Sequence, residues 1–159
     1  MYTIFVISAV LACLSLALMF FPRVPAVIAA YAAMTLPSAA GTPLASGSEL
    51  LFWGAATLIV LGLRIMQQAP SMSAVLQAYS CGGALAGGAV AMVSSFPPVA
   101  GAAGGAFLGI LAWNRTPAGA RLPVGSKAFV DSLASAGLPA VVCVVISLRV
   151  LAGVRAAAI

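Results

Sequence analysis

The chain is built from apolar runs that stop at prolines. Residues 2–21 contain no charged side chain, and the run ends in Pro22-Arg23-Val24-Pro25. A helix rises about 1.5 Å per residue, so roughly 20 apolar residues cover the hydrocarbon core of a bilayer. Two prolines so close together remove backbone donors and collide with the preceding turn, which ends a helix. Inside lipid every backbone polar group must be satisfied within the protein, which leaves helices and closed barrels as the spanning structures. Runs of this length with proline stops predict helices.

An apolar run could equally be the buried helix of a soluble protein, and here composition decides. Of 159 residues, 64% are hydrophobic and 6% charged, whereas soluble domains are about half apolar with about a quarter charged. Seven Lys/Arg and two Asp/Glu cannot make a water-facing shell, and lipid removes the need for one. The expectation is an all-α, polytopic helical membrane bundle, with residues 1–159 as a single integral membrane domain. The net charge of +5 would suggest nucleic acid in a soluble protein. These cations instead stand singly at the ends of apolar runs, as membrane anchors do, so membrane lipids are the expected partner and nucleic acid is not.

Six transmembrane or re-entrant segments follow from the pattern: residues 2–21, 25–40, 49–66, 74–94, 99–113 and 129–148. The second and fifth are short and either span or re-enter. The first ends in Phe20-Phe21-Pro22-Arg23, without the small-x-small pattern of a cleavage site, so it reads as a retained helix and not a leader. Cys13, Cys81 and Cys143 all fall inside apolar segments and read as small packing residues, not as a disulfide framework. If all six segments cross, Arg23, Arg64, Arg115, Arg121 and Lys127 share one side and Arg149 and Arg155 the other. That bias places the long loops in the cytoplasm and both termini outside.

Two features stand above this background. Gly101, Gly105 and Gly109 recur every four residues in the fifth segment, and Gly83 and Gly87 repeat the spacing in the fourth. Residues four apart share a helix face, so each helix offers a groove without side chains, and two such faces let backbones approach closely in lipid. The tight break at Phe96-Pro97-Pro98 makes these two helices antiparallel neighbours, a glycine zipper. The packing reading of these glycines stands beside a sharper one, an oligomer interface or a sliding surface.

The second feature is a candidate duplication. Phe21-Pro22-Arg23-Val24 resembles Phe96-Pro97-Pro98-Val99, 75 residues apart. An apolar helix precedes each break, and a small-residue helix, a polar loop and another apolar helix follow. Repeats 1–73 and 74–159 would each hold three segments and so enter the membrane from opposite sides, a 3+3 inverted repeat of the kind found in transporters.

Chemical machinery is sparse. There is no histidine, and the only carboxylates are Glu49 and Asp131. Glu49 begins a helix, where the dipole favours an anion. Asp131 lies four residues after Lys127, which predicts local pairing, and it is the carboxylate with a candidate proton or cation role. Arg64 reads as a cation snorkelling to the interface, and is the other candidate functional charge. A lone carboxylate cannot supply both acid and base, and neither a metal-ligand cluster nor an activated nucleophile is present. The chain is therefore expected to be no enzyme and to hold no cofactor or metal.

Taken together, Pro22-Arg23-Val24-Pro25, the glycine-rich stretch at residues 81–88 followed by 98–109, and the small-residue helix at 131–151 resemble a family of small bacterial membrane proteins. That family is known only as domain of unknown function four-five-six. The resemblance implies a bacterial inner-membrane location and no settled activity. Members often carry acids after the third helix and after the glycine hairpin, where this chain has Arg64-Ile65-Met66-Gln67 and Ala112-Trp113-Asn114. The leading expectation is a transporter or permeation unit for a small or lipidic substrate, working as a homo-oligomer. The alternative is a structural or accessory subunit that docks a partner membrane protein through glycine-rich faces. A polar cavity between the halves would favour the first; a solid interior with an exposed small-residue face would favour the second.

Overall fold

A computed structural model describes residues 2–21, 25–66, 74–117, 119 and 121–159. It is all-helical among these residues, with α1 (Tyr2–Leu18), α2 (Ala26–Ala39), α3 (Gly47–Met66), α4 (Ala74–Val93), α5 (Pro98–Arg115) and α6 (Lys127–Ala157). The prolines divide the helices as their chemistry requires. Pro25 stands immediately before α2, while Pro22 lies outside the described residues. Pro97 precedes α5 and Pro98 opens it, at a position whose N–H has no intrahelical partner in any helix. The start of α3 is a capping box: Glu49 N–H donates to Ser46 Oγ at 3.3 Å, and Ser46 N–H donates to Glu49 Oε2 at 3.0 Å. At the start of α6, Phe129 N–H donates to Ser126 Oγ at 3.2 Å.

The last helix departs from expectation. It runs to Ala157, so Arg149 and Arg155 lie on it and not beyond it. Nothing after Leu148 breaks a helix: arginine and alanine are strong helix formers, and the single Gly153 is tolerated. Leu133–Gly137 is a π-helical turn, with Leu138 N–H donating to Leu133 O. It sits just ahead of Pro139, whose ring would collide with the carbonyl four residues back and which has no N–H to offer. A wider turn relieves that collision without ending the helix.

α1 with α2 and α4 with α5 form two hairpins, and α6 packs against all five other helices. α3 sits at the periphery, on α2 and α6. Each half therefore contains a hairpin at the same place, but the third helix of the second half occupies the centre while that of the first half does not. The interior is filled by small side chains, among them Ala12, Ala30, Ala33, Cys81, Ala84, Ala102 and Cys143, all fully buried, with Met34 and Ile146. The end of α1 lies beside the start of α4, where Gln77 reaches Met19. Leu76, Trp113 and Phe129 form a second cluster there, joining the start of α4, the end of α5 and the start of α6. At the opposite end the start of α3 meets the later part of α6 through Glu49 and Arg149.

Three helices, α3, α4 and α6, are long and apolar enough to cross a membrane by length and composition. α1 and α2 are apolar but shorter, at 17 and 14 residues. At about 1.5 Å per residue α2 reaches only roughly 21 Å. α5 has 18 residues, but its glycines and the terminal Asn114-Arg115 dilute its hydropathy.

Candidate functional site

The glycines of α4 and α5 meet backbone to backbone. A Cβ placed on Gly83 would land on the carbonyl oxygen of Gly105, and one on Gly105 would land on that of Gly83. Gly87 and Gly101 face each other in the same reciprocal way, and Gly109 faces the Tyr79 carbonyl. Each step of four residues along α4 is matched by four back along α5, so the register is antiparallel throughout. The α-hydrogen of each glycine that takes the place of a Cβ is thus aimed at a carbonyl across the seam, the geometry of Cα–H···O bonds. Not every glycine in these helices serves the seam. Gly82 and Gly104 have open space where a Cβ would stand. Gly88 admits α6 instead: a Cβ there would meet Leu148 Cδ1 at 2.9 Å and Val144 Cγ1 at 3.0 Å. The four-residue spacing marked the seam residues, and gave no sign of Gly88's part.

A polar core runs beside the seam, and no sequence pattern signals it. Ser15 on α1 and Ser147 on α6, both fully buried, share a hydrogen bond at 2.7 Å. Ser15 Oγ also reaches Ala12 O at 2.8 Å, and the Cys143 thiol donates to Ser15 O at 3.6 Å. One turn on, the Met19 carbonyl accepts from Gln77 Nε2 at 2.8 Å and from the Cys81 thiol at 3.3 Å. Carbonyls of a helix's last turn have no intrahelical partner, so α4 completes the end of α1. Among the described residues, Ser8 Oγ, Ser80 Oγ, Gln77 Oε1 and Trp113 Nε1 are buried without a hydrogen-bond partner. Such groups each cost free energy and are few in native proteins.

Asn114 closes the same end. Its Oδ1 accepts from Leu122 N–H and its Nδ2 donates to Leu122 O, both at 2.6 Å. This amide ties the loop back onto α5 as a β-partner would, and the loop bears Arg121.

The charges are arranged otherwise than expected. Asp131 is exposed on the first turns of α6 and makes no ion pair with Lys127. Two exposed long side chains gain little from pairing and lose rotamer freedom by it. The ion pair among the described residues joins Arg149 to Glu49 Oε1 at 2.8 Å. Glu49 therefore caps α3 with one oxygen and holds α6 with the other. Arg64 lies half-buried near the end of α3, far along that helix from Glu49. The structure thus does not bring Arg64 and Asp131 together with this pair.

Among the described residues no group of three or more His, Cys, Asp or Glu could hold a metal ion. Two open grooves mark the surface. One, of about 380 Å³, is a notch at the outer edge of the seam, lined by Ala78, Tyr79, Gly82, Gly83 and Gly109. The other, of about 470 Å³, lies between Met92 of α4 and the last turns of α6. Compared with known proteins, the chain matches no family, no curated protein and no solved structure.

Proposed function

We propose that this chain is a multi-pass protein of the bacterial inner membrane, serving as an accessory subunit that docks a partner helix on its α4–α5 hairpin. The observation that carries the reading is the notch beside the seam, where Ala78 and Gly82 sit one turn apart with Gly109 opposite. The inner face of the hairpin is occupied by α6, while its outer face presents Ala78, Ala86, Ala103 and Gly104 exposed. Helices associate in lipid where small residues let backbones approach, and a shallow notch accepts a side chain from the visiting helix. In this reading Arg64, Arg115, Arg121 and Lys127 face the cytoplasm.

The test uses a glycine of the notch that has open space over it. Gly82→Leu puts a side chain into the notch, and its Cβ meets nothing of the chain within 4 Å. Expected is a monodisperse, normally inserted protein that loses a stoichiometric partner retained by the wild type in mild detergent. A wild type that purifies alone, or a Gly82→Leu variant that keeps its partner, refutes docking here.

Transport of a small or lipidic substrate remains the second reading, favoured by the unpartnered Gln77 Oε1 and Ser80 Oγ inside the bundle. Polar groups that await a partner within membrane helices are candidates for a substrate path. Substrate flux into vesicles containing the purified protein, lost on Gln77→Leu, would establish it; flux-free vesicles would dismiss it.

A further inference from the structure

The groove between Met92 and the last turns of α6 combines an apolar floor with one cation. Leu148, Leu151, Ala152, Arg155 and Ala156 form a single stripe of α6, spaced three and four residues apart, and Met92 closes the other wall. From Leu148 to the end of the helix this stripe runs on the order of 13 Å. The alanines leave the space, and the exposed Arg155 lines the outer end, where a long cationic side chain can reach the interface. Its nearest basic neighbour along the helix, Arg149, is already neutralised by Glu49, whereas Arg155 has no ion pair among the described residues.

We infer that this groove holds one phospholipid, with an acyl chain over Ala152 and Leu148 and the phosphodiester against Arg155. A long apolar slot that ends in a single uncompensated guanidinium is complementary to a molecule with one apolar tail and one anionic head. Guanidinium binds phosphate through paired N–H donors, which a point charge cannot do. The groove's position at the end of both α4 and α6 puts the head at the membrane surface and the tail inside. The inference rests on the chain being membrane-inserted, and it is independent of any partner on the α4–α5 face.

The experiment is native mass spectrometry of the full chain released from mild detergent. Phosphatidylglycerol, diacylglycerol and inorganic phosphate are offered in turn to the wild type, Arg155→Gln, Ala152→Phe and Arg115→Gln. Expected is one retained phosphatidylglycerol per chain, weakened about tenfold in Arg155→Gln by loss of a charge-assisted contact. Ala152→Phe, which fills the slot, should lose it similarly, while Arg115→Gln at the opposite end binds as the wild type does. Diacylglycerol should bind weakly and inorganic phosphate not at all. Equal retention by the wild type and Arg155→Gln overturns the phosphate contact; equal retention by Ala152→Phe overturns the tail site. Phosphate bound alone overturns the lipid assignment in favour of a free anion. Release of the wild type from membranes by alkaline carbonate would instead show that the membrane reading had failed, a result distinct from all of these.

Discussion

Replacing Gly87 with alanine adds one methyl group to the close seam between α4 and α5. That methyl would fall on the carbonyl oxygen of Gly101 and stand 2.9 Å from Gly105 Cα. Carbon atoms settle at about 3.5–4.0 Å, so the two helix axes would have to part by at least roughly 0.6 Å. Both obstructing atoms are backbone, and no side-chain rotation can yield. Overpacking of this kind costs about 1–3 kcal/mol. Lost Cα–H···O contacts in the reciprocal Gly87–Gly101 pair add about 0.5–1 kcal/mol each. The expected destabilisation is about 3 kcal/mol. The controls are Gly82→Ala and Gly104→Ala, where the new methyl meets nothing within 4 Å. These should be neutral, or more stable by up to about 1 kcal/mol from helix propensity. Reversible unfolding by a denaturing detergent in mixed micelles, followed through Trp53 and Trp113, reads all three. If Gly87→Ala and Gly104→Ala unfold at the same detergent fraction, the close approach of α4 and α5 is wrong.

Two further outcomes follow from the polar contacts. Ser15→Ala and Ser147→Ala should each cost about 1 kcal/mol; the double variant should cost less than their sum, with a coupling of about 0.6 and at most about 1.7 kcal/mol. Strict additivity would mean that the two hydroxyls do not meet. Asn114→Asp replaces a group that both accepts and donates with one that only accepts, setting a carboxylate against the Leu122 carbonyl. It should free the loop at a cost of about 2 kcal/mol, seen as faster protease cleavage between residues 116 and 126; unchanged cleavage would show that the amide does not hold the loop.

How much of this was legible in the sequence depended on whether one residue could announce its own role. The breaks at Pro25 and at Pro97-Pro98 did so, because paired or clustered prolines there stand at a helix start, whereas Pro37 and Pro139 lie inside helices. The seam glycines did so through their four-residue period. The extent of α6 did not, because Arg149 looks like the end of a membrane run when it is in fact neutralised by a residue 100 positions away. Pairings such as Ser15 with Ser147, or Gln77 with the end of α1, have no local signature. A serine in an apolar helix reads the same whether or not another helix brings it a partner. Asp131 and Lys127 failed to pair for the opposite reason: the sequence placed them correctly, and exposure removed the gain.

The central place of α6 has a consequence in time. Synthesis proceeds from the amino terminus, so α6, which touches the five other described helices, emerges after all of them. Until it does, the two hairpins meet chiefly where Gln77 and Cys81 reach the Met19 carbonyl. Ser15 and Gly88 wait for neighbours that are still to be made, Ser147 for the one and Val144 and Leu148 for the other. Packing of these six helices is therefore completed only when α6 arrives, and neither hairpin reaches its native surroundings before then.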